Sequence, residues 1–189
     1  MTNTKALKSM TKPHLSVKAQ VIATIAAIVG AVAVPQIFHL LGAVSGLGTA
    51  LGETFLPMHL PIILVGLLAG PYAGAVAGLV GPLASFALSG MPGAVMLPFM
   101  MIELCAYGLF AGLLRNVKMP TLAKVLIAQV AGRATRAVAI LISVFAFGNE
   151  SINISVIWMS IGVGIFGIVL QWALLPLITY RVENLKNEG

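Results

Sequence analysis

The chain has 189 residues, of which 59% are hydrophobic and only 8% charged, with a formal net charge of +6. Soluble domains carry about 25% charged residues, so the composition excludes an ordinary soluble enzyme and defines an integral membrane protein. The basic residues flank apolar segments instead of forming the basic face that nucleic acid requires, and the lone Cys105 excludes an internal disulfide.

A membrane-spanning helix needs roughly 20 apolar residues. Six such stretches, one of them short, follow one another with connections too small for a soluble domain. They predict an all-α membrane protein with six transmembrane helices in one bundle, divided into a basic lead (1–16), a membrane domain (17–180) and a polar tail (181–189). The lead carries Lys5, Lys8, Lys12 and Pro13. The apolar run behind it contains Ala31-Val32-Ala33, which resembles a signal-peptide cleavage site, but it is longer than the apolar core of such a signal. It is therefore expected to stay as a first helix over residues 17–41, with Pro35 as a kink site. Its Ala23, Ala27 and Ala31 fall four apart, a smooth stripe that lets another helix approach closely, within the bundle or from outside.

Residues 42–57 form a long glycine-rich connection that ends in Glu53, Phe55, Leu56 and Pro57, and a second helix is expected over 58–69. A third follows Gly70-Pro71 and ends near Ser89-Gly90. Gly66, Gly70, Gly74 and Gly78 repeat every fourth residue across that junction, which predicts close backbone approach, and Pro82 marks a kink. The segment 91–96 leads into a fourth helix, 97–114, which carries Glu103. A fifth, 121–147, places Gln129, Arg133 and Arg136 in or beside its middle third. A turn at Gly148-Asn149-Glu150 precedes the sixth, 152–178.

With six spans, Lys5, Lys8, Lys12, Lys18, Arg115, Lys118, Lys124, Arg181 and Lys186 all fall on one side. The positive-inside rule makes that side, and both termini, cytoplasmic, and leaves Glu53 and Glu150 outside. Arg133 and Arg136 are then intramembrane, as is Glu103.

An ionised side chain at the membrane centre costs at least about 2.5–3.5 kcal/mol on insertion scales, so these three residues must be paired or hydrated. Arg133 and Arg136, three apart, share a helix face that Gln129 extends, and one of them is the simplest partner for Glu103. Such a pair either locks the fourth helix to the fifth or forms the floor of a ligand site. His59, at the external end of the second helix, is a further candidate for that site, with His39 behind it. Glu53, beside the apolar Phe55, Leu56 and Met58, fits a lid.

The chain has no Asp, and its three His residues are not at ligand spacing, so no metal is expected. Phosphate-loop and dinucleotide signatures are absent, so no cofactor is expected either. Gly42-Ala43-Val44-Ser45-Gly46 is not a nucleophile elbow, and the chain does not read as an enzyme.

Taken in order, six spans, a basic start, Ala23-x-x-x-Ala27-x-x-x-Ala31, a long external connection, Leu56-Pro57-Met58-His59-Leu60-Pro61, Gly90-Met91-Pro92 and Ala131-Gly132-Arg133 resemble the substrate-binding S component of an energy-coupling factor (ECF) vitamin transporter of prokaryotes. The resemblance implies a cell-membrane protein that binds a small vitamin near its external side, under a gate formed by 42–57 with Glu53, Phe55 and Met58. It also implies that Ala23, Ala27 and Ala31 dock on a membrane scaffold, the T component, which is coupled to two cytoplasmic ATPases. The loaded subunit would topple in the membrane to deliver its cargo.

Substrate contacts are then expected from Glu103, Arg133, Arg136, His59 and Gln129, with Tyr107 or Trp158 stacking on a ring. That set suits pyridoxine or hydroxymethylpyrimidine, with Glu103 as anchor, or pantothenate, with an arginine as anchor; the reading leans to the heteroaromatic pair. Two rivals stand beside it: a self-contained proton-coupled carrier with Glu103 as its proton site, and a structural membrane subunit held together by the Glu103 pair.

Overall fold

The computed structural model describes residues 15–48 and 50–187. The basic lead with Lys5, Lys8, Lys12 and Pro13, and the side chain of Lys186, lie outside the described residues. Among the described residues all regular structure is helical: α1 (Val17–Ser45), α2 (Ala50–Phe55), α3 (His59–Ala69), α4 (Pro71–Ser89), α5 (Leu97–Leu113), α6 (Thr121–Phe145), α7 (Val156–Val163) and α8 (Ile165–Asn187). Five stretches are long and apolar enough to cross a bilayer: α1, Ala50–Ala69, α4, α6 and Ile165–Val182. The shorter apolar α5 supplies the sixth crossing.

Local chemistry explains where the helices begin and end. The Ser16 hydroxyl accepts a hydrogen bond from the Ala19 N–H and so caps α1. Gly46, in the left-handed region at φ 76°, stops it. α1 therefore runs four residues past the expected end at Leu41. The chain then doubles back, with the Gly48 N–H bonded to the Gly42 carbonyl. Gly70-Pro71 turns α3 into α4 without a polar loop.

The four-residue glycine repeat does what its spacing predicts. A Cβ on Gly66 would lie 2.5 Å from the Gly108 carbonyl oxygen, and one on Gly74 or Gly78 would strike the backbone of Gly108 or Leu104. α4 and α5 thus touch backbone to backbone, and the core between the helices is built from small residues. Large side chains such as Val29, Leu88 and Phe145 are exposed on the outside, where lipid is their solvent.

The packing bears on two expectations, the alanine stripe and the last span. Ala27 is buried and Ala31 fully so, and Ala23 packs on the same core; a Cβ on Gly81 of α4 would lie 3.2 Å from that of Ala31. At Ala27 and Ala31 the stripe therefore faces inward against α3 and α4, while Ala23 is only partly buried. The correction concerns the last span, which is not one helix over 152–178 but α7 and α8, broken at Gly164. The break sits where another segment presses in: a Cβ on Gly164 would lie 2.7 Å from Leu56 Cδ1, and one on Gly167 2.5 Å from the Phe55 carbonyl carbon. The glycine-rich connection is partly helical, as α2, and packs on this break.

Candidate functional site

α5 places Glu103 and Tyr107 one turn apart, and the Tyr107 hydroxyl donates to Glu103 Oε1 at 2.9 Å. α6 brings two guanidiniums to the same carboxylate. Arg133 Nε lies 3.2 Å from Oε1, and Arg136 Nη1 donates to Oε2 at 3.0 Å. Glu103 is fully buried. The sequence left open which arginine pairs with it; both do.

This arrangement depends on Gly132. Any Cβ there would collide with the Tyr107 ring, so the missing side chain lets that ring lie against α6 with its hydroxyl under the carboxylate. His59 closes the cluster from α3, its ring centroid 5.2 Å from that of Tyr107. It is 3% exposed, and neither of its ring nitrogens has a hydrogen-bond partner among the described residues. Arg133 Nη2 and Arg136 Nε are also buried without one. Arg133 Nη1 reaches across to α7 and donates to the Ser160 hydroxyl at 3.2 Å, which in turn donates to the Ile157 carbonyl.

These groups border a cavity of about 420 Å³. Its other walls are Pro35 and His39 of α1, Gly52, Glu53 and residues 56–58, Ser85 of α4, Met91, Pro92, Met96 and Met100 before and within α5, and Val156, Met159 and Val163 of α7. All of these belong to connections 46–58, 90–96 and 146–155 or to the helix segments nearest them. The basic residues Arg115, Lys118 and Lys124 border the connection at the other end of α5 and α6, and Lys124 Nζ is tied to the Arg115 carbonyl at 2.8 Å. The cavity therefore opens at the end of the bundle away from that basic connection.

Of the residues singled out from sequence, Glu103, Arg133, Arg136, His59, Glu53 and Met58 line the cavity, as does His39. Tyr107 lies behind Glu103. Phe55 stacks on Phe38, with ring centroids 5.4 Å apart, and supports α2 from outside the cavity. Trp158 is 73% exposed and borders a lateral cavity between α6 and α7–α8, which shares Arg133, Arg136 and Ser160 with the first. Gln129 faces that side too. It donates to Gln171 Oε1 at 2.9 Å and accepts from the Trp172 indole at 2.7 Å, while Gln171 Nε2 donates to the Leu56 carbonyl. A chain of side-chain amides thus ties α6 and α8 to the hinge between α2 and α3, where Leu56 has a φ of 47°.

Sequence reasoning missed four of the five methionines of the lining, all but Met58, together with Ser160, Gly132 and Gln171. A signal for two of the methionines was present: Met96, Met100, Glu103 and Tyr107 follow helical spacing on one face. Ser160 had none, because its place follows from α7 folding back over the site.

A polytopic helical bundle that encloses a charged, partly unsatisfied cavity at one end defines a membrane protein built to bind a small solute. A family model, the substrate-specific component of ECF transporters, matches residues 14–179, and the chain belongs to that family. It is thus a substrate-binding subunit of a transporter, working with partner proteins in the membrane. No curated protein and no solved structure compared with it gave a match.

Proposed function

We propose that this chain captures a small vitamin or vitamin precursor, in the size range of pyridoxine, hydroxymethylpyrimidine or pantothenate, on the external side. It delivers that cargo to the cytoplasm by toppling on a scaffold subunit coupled to two ATPases. Both termini face the cytoplasm, and α2 with Glu53 and Met58 is the gate. The observation that carries the binding reading is the cavity of about 420 Å³ lined by His59 and by the partly exposed guanidinium side chains of Arg133 and Arg136. Ligand sites occupy roughly 300–1,000 Å³ and hold a few convergent polar groups in apolar walls, and buried donors without partners are costly unless something fills their need. A purely structural ion pair leaves both the space and the open donors without a purpose. The toppling and the ATPase coupling draw their support from family membership, and the burial of Ala27 and Ala31 favours a docking contact on another surface of the chain.

The test is reconstitution in vesicles with scaffold and ATPase subunits. ATP-dependent uptake of a vitamin is expected, and none by the chain alone. Gradient-driven uptake by the chain alone would identify a self-contained carrier instead.

A further inference from the structure

We propose that the ligand of this cavity is a monocarboxylate, held through its acid group by Arg133 and Arg136, and not a neutral alcohol anchored on Glu103. The inference rests on the reading of the cavity as a substrate site and specifies its chemistry.

Glu103 has little left to offer a ligand. Its Oε1 accepts from Tyr107 at 2.9 Å and lies 3.2 Å from Arg133 Nε, and its Oε2 accepts from Arg136 at 3.0 Å. The open hydrogen-bonding capacity belongs to donors: Arg133 Nη2 and Arg136 Nε are buried without a partner, and arginine nitrogens only donate. Both guanidiniums also line the cavity with side chains 14% and 13% exposed, and a ligand that meets them brings acceptors. His59, which also has no partner, serves as donor through one ring nitrogen and acceptor through the other.

The charge count agrees. Two guanidiniums against one carboxylate leave a single positive charge among these buried groups. Glu53, the other acidic residue of the lining, is exposed and stands apart from these buried groups in the fold's connection 46–58. One negative charge completes the balance, and the carboxylate is the ligand group that matches the guanidinium fork. A phosphate monoester, at about −1.5 to −2 near neutral pH, overshoots it.

The walls speak to the rest of the ligand. Among the described residues no Phe, Tyr or Trp lines the cavity, and the rings besides proline are the imidazoles of His39 and His59. Tyr107 is hidden behind Glu103, and Trp158 looks outward, so neither aromatic expected to stack on a ring is in place. Five methionines surround the space instead, flexible side chains that mould to an irregular aliphatic body. This reverses the lean toward a heteroaromatic alcohol.

The experiment uses the full chain purified in detergent. Small molecules released from it are identified by mass spectrometry, and binding is titrated calorimetrically with matched probes: pantothenate against panthenol, nicotinate against nicotinamide, and the neutral pyridoxine and hydroxymethylpyrimidine. The expected result is a released carboxylic acid, or an acid probe that binds at least about tenfold more tightly than its neutral partner, a difference of about 1.4 kcal/mol. Release of a neutral molecule, or a neutral probe binding as well as its acid, overturns the inference and leaves the substrate-site reading standing. A protein that releases nothing and binds none of the probes overturns both.

Discussion

At the scale of single residues, the site is one fully buried carboxylate shared by a buried phenol and two guanidiniums that are 14% and 13% exposed. Removing one partner of a buried charge pair costs about 3–5 kcal/mol, because the remaining charge is left uncompensated. Glu103→Gln strands both Arg133 and Arg136 and should lower the thermal midpoint of the purified protein by far more than Tyr107→Phe does. The latter loses one hydrogen bond to a charged group, worth about 1.5–3 kcal/mol, and keeps the ring on His59 and Gly132. Equal, small shifts for the two variants would mean that the carboxylate is not the centre of the cluster. Gly132 belongs to the same unit, since its missing side chain is what admits the Tyr107 ring.

At the scale of elements, two contacts decide how the site is walled. The first is the face of α1. Overpacking a filled core costs about 1–3 kcal/mol for added methylenes, and an indole against Gly81 and the core is a larger insult. Ala31→Trp is therefore expected to abolish the monodisperse folded protein on size exclusion, along with ligand retention. A well-folded Ala31→Trp protein that binds ligand and has lost only uptake would return the stripe to a docking role. The second contact is the amide chain from Gln129 through Gln171 to the Leu56 carbonyl, which holds the α2–α3 hinge against α8. Leu56 adopts a left-handed backbone that costs a non-glycine residue roughly 1–2 kcal/mol, so the hinge needs such a restraint. Gln171→Leu removes a net contribution of about 0.5–1.5 kcal/mol and should speed ligand dissociation by up to about tenfold, read from stopped-flow release. An unchanged release rate would show that α2 is held by packing alone.

At the scale of the whole molecule, the cavity lies in the half of the bundle bounded by connections 46–58, 90–96 and 146–155, away from Arg115, Lys118 and Lys124. Under the proposed topology, which follows the positive-inside rule, that half lies outside the cell. In a background lacking Cys105, Gly93→Cys should react with a membrane-impermeant maleimide on intact cells, and Lys118→Cys only after permeabilisation. Both positions are exposed, so the contrast reports sidedness and not burial. The reverse pattern would invert the protein and place the cavity on the cytoplasmic side.

Much of this architecture was legible in the chain as written, because bilayer thickness and the cost of buried charge act on composition directly. Six apolar stretches set the crossings, basic residues marked one side, and Glu103, Arg133 and Arg136 stood out as charges that lipid cannot solvate. The glycine repeat from Gly66 to Gly78 announced close packing, since only a missing Cβ permits backbone contact between helices. Tertiary structure decided what each polar group meets. Spacing alone could not show that both arginines share Glu103, that Gln129 turns to Gln171, or that Trp158 faces outward, because helix rotation and the fold-back of α7 set those partners. The same holds for the stretch around Glu53 and for the stripe of Ala23, Ala27 and Ala31. A small-residue face says that something comes close, and only the packed bundle says that the neighbours are its own α3 and α4.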